Sequence, residues 1–243
     1  LAAEESSPRP RKLPEVAPWS DIESLAREKA VLGLYVSGHP LTRYERELAT
    51  FATATISDLP ELEDGEPVRI GGIVEDIKTT TDRKGERMAF VTVEDFTGRV
   101  ELLVFAGCYA KKQHELARDA TIIVEGRIST REEEEPKIIV ENIVPLARAY
   151  QQFVEKIVIS LSTPGLEEES LIELRALLER HPGRIPVTLS VKTAGGDVVT
   201  VETGGVRVEP SRRLAELLAE LVGGSNVTFA GASAGVRVPE PAF

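Results

Sequence analysis

An aromatic and a hydroxyl side chain lie two residues apart in a strand-like segment that follows a short basic loop. They are Phe90 and Thr92, and the segment Met88 to Glu94 alternates in the way a half-buried strand does. Residues two apart on a strand share a face. The preceding loop, Lys78 to Arg87, contains a glycine and an excess of basic residues. Small β-barrels bind single-stranded nucleic acid with such groups, so the pattern indicates binding and not catalysis.

The candidate DNA-contacting residues are the aromatic, its neighbouring hydroxyl and the nearby basic side chains: Phe90, Thr92, Lys78, Arg83, Lys84, Arg87 and Arg99. Stacking of Phe90 on a base would contribute about 1–3 kcal/mol. The alternative is that Phe90 packs in a barrel core. For the basic side chains the alternatives are phosphate contact and an ordinary solvated loop. Phe96 and Phe105 are predicted to pack in a turn and in the core.

Strand signals dominate residues 61–148. They predict five strands and one short helix, the strands at 68–77, 88–94, 99–105, 121–129 and 137–145 and the helix at 106–117. A helix between the third and fourth of five strands is the order of the OB-fold, a partly open Greek-key barrel. We therefore predict an OB-fold nucleic-acid-binding domain here.

Composition changes divide the rest of the chain. Residues 1–18 carry four prolines among charged and small residues, which is typical of a flexible linker. Residues 19–60 predict a helical lead-in whose first helix ends near Gly38. Residues 153–230 mix strand and helix signals and predict a small α+β domain, and 231–243 predict a frayed tail. The predicted fold class is thus mixed β and α+β.

The composition of the 243-residue chain excludes several classes of function. A net charge of −11 argues against coating DNA by bulk electrostatics, so any nucleic-acid contact must be focal. The single cysteine, Cys108, excludes an internal disulfide, and no His or Cys spacing suits a metal. We predict no catalytic residue, metal or cofactor in this chain. Without a signal peptide or an apolar run of about 18 residues, we expect a cytoplasmic protein with no membrane partner.

Two stretches of the sequence resemble a known family. They are EKAVLGLYVSGHPL (28–41) and KGERMAFVTVED (84–95), and they resemble the C-terminal part of bacterial DNA polymerase III alpha subunits. The resemblance covers roughly residues 20–150, and beyond that it rests on the order of elements. It implies a non-catalytic fragment of a DNA-directed DNA polymerase, a nucleotidyltransferase of DNA replication, without its catalytic palm. The start at Leu1 in place of Met agrees with a fragment.

The resemblance also implies partners. The OB-fold would bind single-stranded template DNA, and the C-terminal domain would dock another holoenzyme subunit, with tau of the clamp loader as the family expectation. The family suggests a sliding-clamp motif of the type Gln-x-x-Leu-Phe just before the OB-fold. This chain lacks it there, and Gln151-Gln152-Phe153 has the wrong spacing and position. We therefore do not assign clamp binding to this chain.

Two alternative functions stay open at this point. The OB-fold could be an interaction scaffold that contacts only protein. An affinity for DNA that falls as salt rises would distinguish a nucleic-acid-binding domain from such a scaffold, because phosphate contacts depend on salt. The hairpin also resembles the anticodon-binding OB-fold of class II aminoacyl-tRNA synthetases. That match places Phe90 where an anticodon base stacks and Glu101 where a glutamine often reads base edges. A carboxylate cannot donate hydrogen bonds and repels phosphate, as would the glutamates at 132–135, which are predicted to flank the same groove.

Overall fold

The computed structural model describes Trp19 and residues 21–33, 35–130, 135–163 and 167–231. The chain forms two compact units, residues 1–40 and 41–243. Three predicted features lie outside the described residues, namely the linker 1–18, the glutamates 132–134 and the tail from residue 232. None of the described helices is long and apolar enough to cross a membrane.

Helix α1 (Asp21–Leu32) belongs to the first unit. It ends where Gly33 adopts a left-handed backbone, with φ of 77°. The prediction that this helix continues to Gly38 is therefore wrong, because the chain already leaves the helix at Gly33. The carboxylate of Glu28 accepts hydrogen bonds from the side chain and the backbone N–H of Ser37, and these bonds lower the pKa of Glu28.

Five strands of the second unit close into a barrel in the order β1-β2-β3-β5-β4. They are β1 (Pro67–Thr81), β2 (Arg87–Glu94), β3 (Arg99–Val104), β4 (Thr121–Ser129) and β5 (Lys137–Pro145). Helix α3 (Ala106–Lys112) connects β3 to β4. Neighbouring strands are antiparallel except β3 and β5, whose parallel pairing closes the barrel. This architecture confirms the predicted OB-fold.

The inward-pointing side chains of the strands fill the barrel interior with aliphatic groups. On β2, Ala89, Val91 and Val93 are fully buried, while the residues between them point outward and are half-buried. A 3₁₀ turn (Ile56–Glu61) packs Ile56 and Leu59 against this core. Asp95, in the β2–β3 turn, holds the 3₁₀ turn in place, since its Oδ2 accepts the N–H of Ile56 at 2.8 Å.

Strand β1 is longer than its sequence pattern indicates. The predicted strand ends at residue 77, with a loop from Lys78 to Arg87. In the structure, Lys78 to Thr81 pair with Arg87 to Phe90, and the loop shrinks to residues 82–86. The prediction is wrong here because the pairing partner, and not the polar composition, decides where β1 ends. The helix predicted at 106–117 likewise ends at Lys112 and is followed by a 3₁₀ turn (Gln113–Glu115).

A second, four-stranded sheet follows, in the order β8-β7-β6-β9. Its strands are β6 (Lys156–Ser162), β7 (Pro182–Lys192), β8 (Val198–Val208) and β9 (Val227–Ala230). The helices around it are α4 (Ala149–Phe153), α5 (Glu168–Glu179) and α6 (Arg212–Val222), and the lead-in adds α2 (Glu45–Phe51).

One apolar cluster joins the lead-in, the outer wall of the barrel and the second sheet. Its largest members are buried side chains from all three parts: Leu41, Tyr44, Phe51, Ile73, Ile123, Leu146, Tyr150, Phe153, Ile157, Ile159, Leu174, Leu177, Leu178, Leu214 and Leu218. Two buried polar contacts cross the same region. Arg69 pairs with Glu125 at 2.7 Å, and Glu47 of α2 pairs with Arg212 of α6 at 2.7 Å.

Gly126 of β4 provides the sharpest test of barrel packing. A Cβ at this position would lie 2.3 Å from the carbonyl oxygen of Ile139 and 2.7 Å from Cγ2 of Ile138. We expect Gly126→Ala to lower the free energy of unfolding by about 2 kcal/mol, because a backbone atom of β5 cannot move aside. Urea unfolding measures the change.

Gly107 of α3 supplies the matched control for this substitution. Nothing lies within 4 Å of a Cβ built there. Gly107→Ala is expected to raise the free energy of unfolding by about 0.5–1 kcal/mol, since alanine favours the helix. Equal effects of the two substitutions would contradict the packing described for β4 and β5.

Candidate nucleic-acid interface

Phe90 lies on the outer face of the barrel and is half-buried. Its neighbours Ala89 and Val91 fill the interior, so Phe90 itself is not part of the barrel core. Thr92 shares its face, as predicted, and is also half-buried. The alternative that placed Phe90 in the core is therefore wrong, and a flat aromatic surface is partly accessible at this position.

The strand register extends Phe90 into an apolar row. Phe90 lies opposite Leu103 on β3, and Leu103 lies opposite Ile139 on β5. Both aliphatic side chains are half-buried and lie between fully buried neighbours that point inward. We call Phe90, Leu103 and Ile139 the apolar row. Sequence reasoning missed its two aliphatic members, although the alternation within β3 and β5 places both on outward positions.

The two ends of the apolar row carry cations. Lys78 lies opposite Phe90 on β1, and Arg127 lies opposite Ile139 on β4. Both cations have carboxylate neighbours, since Lys78 Nζ is 3.9 Å from Asp76 and Arg127 Nε is 2.9 Å from Glu141. The predicted contact residue Lys78 is thus beside Phe90, with its charge partly balanced.

Arg83 and Lys84 form the tip of the β1–β2 hairpin. Asp82 organises this tip, because its Oδ1 accepts the backbone N–H of Lys84 at 2.8 Å. Gly85, with φ of 80°, completes the loop 82–86, and its own N–H donates to the carbonyl of Asp82. Both basic side chains are exposed, and neither forms an ion pair with any residue that the structure describes.

Arg87 does not join the other predicted residues. It stands an odd number of residues from Phe90 on β2 and therefore points to the opposite side of the hairpin. There it lines a cavity of about 500 Å³ together with Tyr109 and Gln113, which follow β3. Arg87 is therefore separated from the other predicted contact residues, because the segment 78–87 is a hairpin with two faces.

A groove of about 690 Å³ lies beside the apolar row. Its lining comes from β2, β3 and β5, from the 3₁₀ turn and from the loop before β5, and includes Thr92, Arg99, Glu101, Lys137, Pro60 and Glu135. Glu135 is the member of the predicted acidic loop that the structure describes, and it borders the groove as expected.

Ion pairs balance most of the charge in this groove. Arg99 Nε is 3.0 Å from Glu75, and its guanidinium also lies 3.7 Å from Glu94. Glu101 pairs with Lys137 at 3.1 Å. The predicted contact residue Arg99 therefore borders the groove, and two carboxylates lie beside its guanidinium. Arg83 and Lys84 at the hairpin tip are the predicted contact residues that form no ion pair with a described residue and are exposed.

Two aromatics, a cysteine and a histidine of the barrel remain to be placed. Phe105 is 46% exposed, so the expectation that it packs in the core is wrong, whereas Phe96 lies in the β2–β3 turn and is 50% exposed. Burial raises the pKa of the Cys108 thiol, which opposes its use as a nucleophile. His114 lies 3.3 Å from Glu115. Among the described residues, no three His, Cys, Asp or Glu side chains are grouped to hold a metal ion.

The barrel belongs to a class of fold that binds nucleic acids. Residues 68–146, which span the barrel, match the family model described as OB-fold nucleic acid binding domain. The asparaginyl-tRNA synthetase structure from Pyrococcus horikoshii is 26% identical, with a TM-score of 0.32, and the match covers 38% of this chain and 22% of that one.

Similarity to individual proteins extends beyond the barrel. The DNA polymerase III subunit alpha of Pseudomonas fluorescens is 31% identical over 206 residues, which are 84% of this chain and 17% of that protein. The subunit of Escherichia coli strain K12 is 28% identical over 230 residues, 93% of this chain and 20% of that protein. The chain thus spans about a sixth to a fifth of the length of these curated relatives.

Proposed function

We propose that this chain is the C-terminal part of a replicative DNA polymerase III alpha subunit and that its barrel binds single-stranded template DNA. The apolar row carries the proposal, because it leaves an aromatic and two aliphatic side chains partly open on the barrel surface. A base has an apolar face that stacks on such a surface, whatever its sequence. Similarity to alpha subunits over most of the chain supports the replication context.

The charges around the row support a single strand as the ligand. Bases would lie on Phe90 and its neighbours, while the phosphates would pass the exposed tip with Arg83 and Lys84. Few cations contribute, and the whole chain carries a net charge of −11. The interaction is therefore local and weak in isolation, which suits a contact that must be released as the template moves.

Nucleotidyl transfer belongs, in this proposal, to the longer protein and not to this chain. The chain corresponds to 17% of the length of its Pseudomonas fluorescens relative. We propose that it positions template DNA and partner subunits in the cytoplasm, without a cofactor or metal of its own.

We further propose that the second sheet docks another holoenzyme subunit, for which tau is the expectation. Support comes from apolar side chains that are exposed on α5 and on the edge strand β8, namely Ile172, Val198, Val199 and Val201. Unpaired backbone groups along an apolar edge strand favour association with another chain. Titration of purified tau subunit against the chain tests this part, and the absence of binding would contradict it.

The DNA-binding part is tested by titrating the chain with labelled single-stranded DNA over a range of salt concentrations. We expect affinity to fall as salt rises, and we expect Lys84→Ala to weaken binding about two- to threefold and to lower the salt slope by about one. Lys111→Ala is the control, because Lys111 is an equally exposed cation on α3.

The outcomes separate the alternative functions. A chain that binds no single-stranded DNA at low salt would favour a scaffold that contacts only protein. Binding of an RNA anticodon loop that is much tighter than binding of DNA would favour the aminoacyl-tRNA synthetase alternative. Equal effects of Lys84→Ala and Lys111→Ala would remove the hairpin tip from the interface.

A further inference from the structure

An ion pair lies in the cross-strand row next to Phe90. Glu101 Oε2 is 3.1 Å from Lys137 Nζ, and the two side chains are 37% and 34% exposed. Thr92 lies opposite Glu101 on the neighbouring strand and stands two residues from Phe90. The edge of a base stacked on Phe90 would have Thr92, Glu101 and Lys137 within reach, because adjacent rows of a sheet lie within reach of one aromatic ring.

The chemistry of this pair matches the edge of an unpaired base. A carboxylate only accepts hydrogen bonds and an ammonium only donates them, so the pair presents an acceptor beside a donor. The Watson–Crick edge of every base also places a donor beside an acceptor: an amino group beside a ring nitrogen in adenine and cytosine, and a ring N–H beside a carbonyl in guanine and thymine. In a duplex these groups are already bonded to the other strand.

The carboxylates around the Glu101–Lys137 pair also favour a single strand over a duplex. Asp76 lies in the same cross-strand row, opposite Thr92, and Glu135 borders the groove. A duplex keeps its Watson–Crick edges paired and carries its phosphates on the outside, so it would bring phosphates against these carboxylates, which repel them. A single strand turns its bases toward the surface and keeps its phosphates away from it.

We infer that the Glu101–Lys137 pair is a specificity determinant, which makes the groove select unpaired bases over duplex DNA. The inference rests on the proposed function, because it concerns how the same surface distinguishes its ligand. Glu101, which departs from the glutamine of the anticodon-binding pattern, then has a role of its own: it offers the acceptor for base edges and opposes phosphate.

The measurement is the ratio of the affinities for a single-stranded oligonucleotide and for the duplex of the same sequence, obtained by fluorescence anisotropy with the whole chain. We expect Glu101→Lys to reduce the preference for single strands about fivefold, mainly by strengthening duplex binding, and Glu101→Gln to reduce it about twofold. The exchanged pair Glu101→Lys/Lys137→Glu should recover most of the preference, because a donor again stands beside an acceptor. Thermal melts confirm that each variant is folded.

Glu179→Lys is the matched control, because it makes the same change of charge on α5, outside the groove. It should strengthen binding to both ligands equally and leave the ratio unchanged. If Glu101→Lys keeps the ratio of the unmodified chain, or if the exchanged pair does not recover it, the inference is overturned while the proposed function stands. If the unmodified chain binds no single-stranded DNA, the proposed function itself fails.

Discussion

Phe90→Ala is expected to weaken binding of single-stranded DNA about tenfold, within the 1–3 kcal/mol that one base stacked on an aromatic contributes. The ring stands at the head of the apolar row, between Lys78 on β1 and Leu103 on β3. The loss should persist at high salt, because stacking does not depend on counterion release. Anisotropy titrations at low and high salt measure it.

The control for Phe90 is another accessible aromatic on the same barrel. Phe96 is 50% exposed in the β2–β3 turn and lines a different cavity, next to Ala52 and Thr55. Phe96→Ala should leave the affinity for single-stranded DNA unchanged. Unchanged affinity of a folded Phe90→Ala variant would remove the apolar row from the interface, whatever the effect of the basic residues.

Arg69→Ala is expected to cause the largest loss of stability, about 3 kcal/mol in the free energy of unfolding. The Arg69 side chain is 3% exposed, and its guanidinium donates to Glu125 at 2.7 Å. It also donates to the carbonyl of Phe51 and lies 4.3 Å from the ring centre of Phe153. The substitution leaves Glu125 without its cation, and breaking a buried pair in this way typically costs about 3–5 kcal/mol.

Two further variants distinguish this pair from an ordinary surface contact. Arg175→Ala breaks the exposed pair with Glu179 on α5, at 2.8 Å, and should cost about 0.3–0.5 kcal/mol. Arg69→Met/Glu125→Leu removes both buried charges and should recover most of the stability lost in Arg69→Ala. Urea unfolding compares the three. A loss for Arg69→Ala no larger than that for Arg175→Ala would show that Arg69 does not link the lead-in to the barrel.

Local patterns in the sequence were sufficient for the order of strands and for the face that carries Phe90 and Thr92. Alternation with period two follows from the geometry of a single strand, so it can be read without knowledge of the partner strand. The same patterns predicted that β1 ends too early, at residue 77, because Lys78 to Thr81 belong to the strand only through their pairing with β2.

Which side chains meet at the interface depends on the register between paired strands and on contacts between segments that are distant in the sequence. Leu103 meets Ile139, and Glu101 meets Lys137, only because β3 and β5 pair in parallel at the closure of the barrel. A single-residue shift of that register would separate both pairs and turn the side chains of one strand to the other face.

The sequence by itself determined that this chain contains an OB-fold barrel, that Phe90 and Thr92 share one face of a strand, and that basic residues precede that strand. Only the tertiary structure decided which charges remain available there. It pairs Arg99 with Glu75 and Glu94, turns Arg87 to the other side of the hairpin and leaves Arg83 and Lys84 exposed at the tip. The reason is physical: backbone alternation is a local steric property, whereas ion pairing depends on distances that folding alone creates.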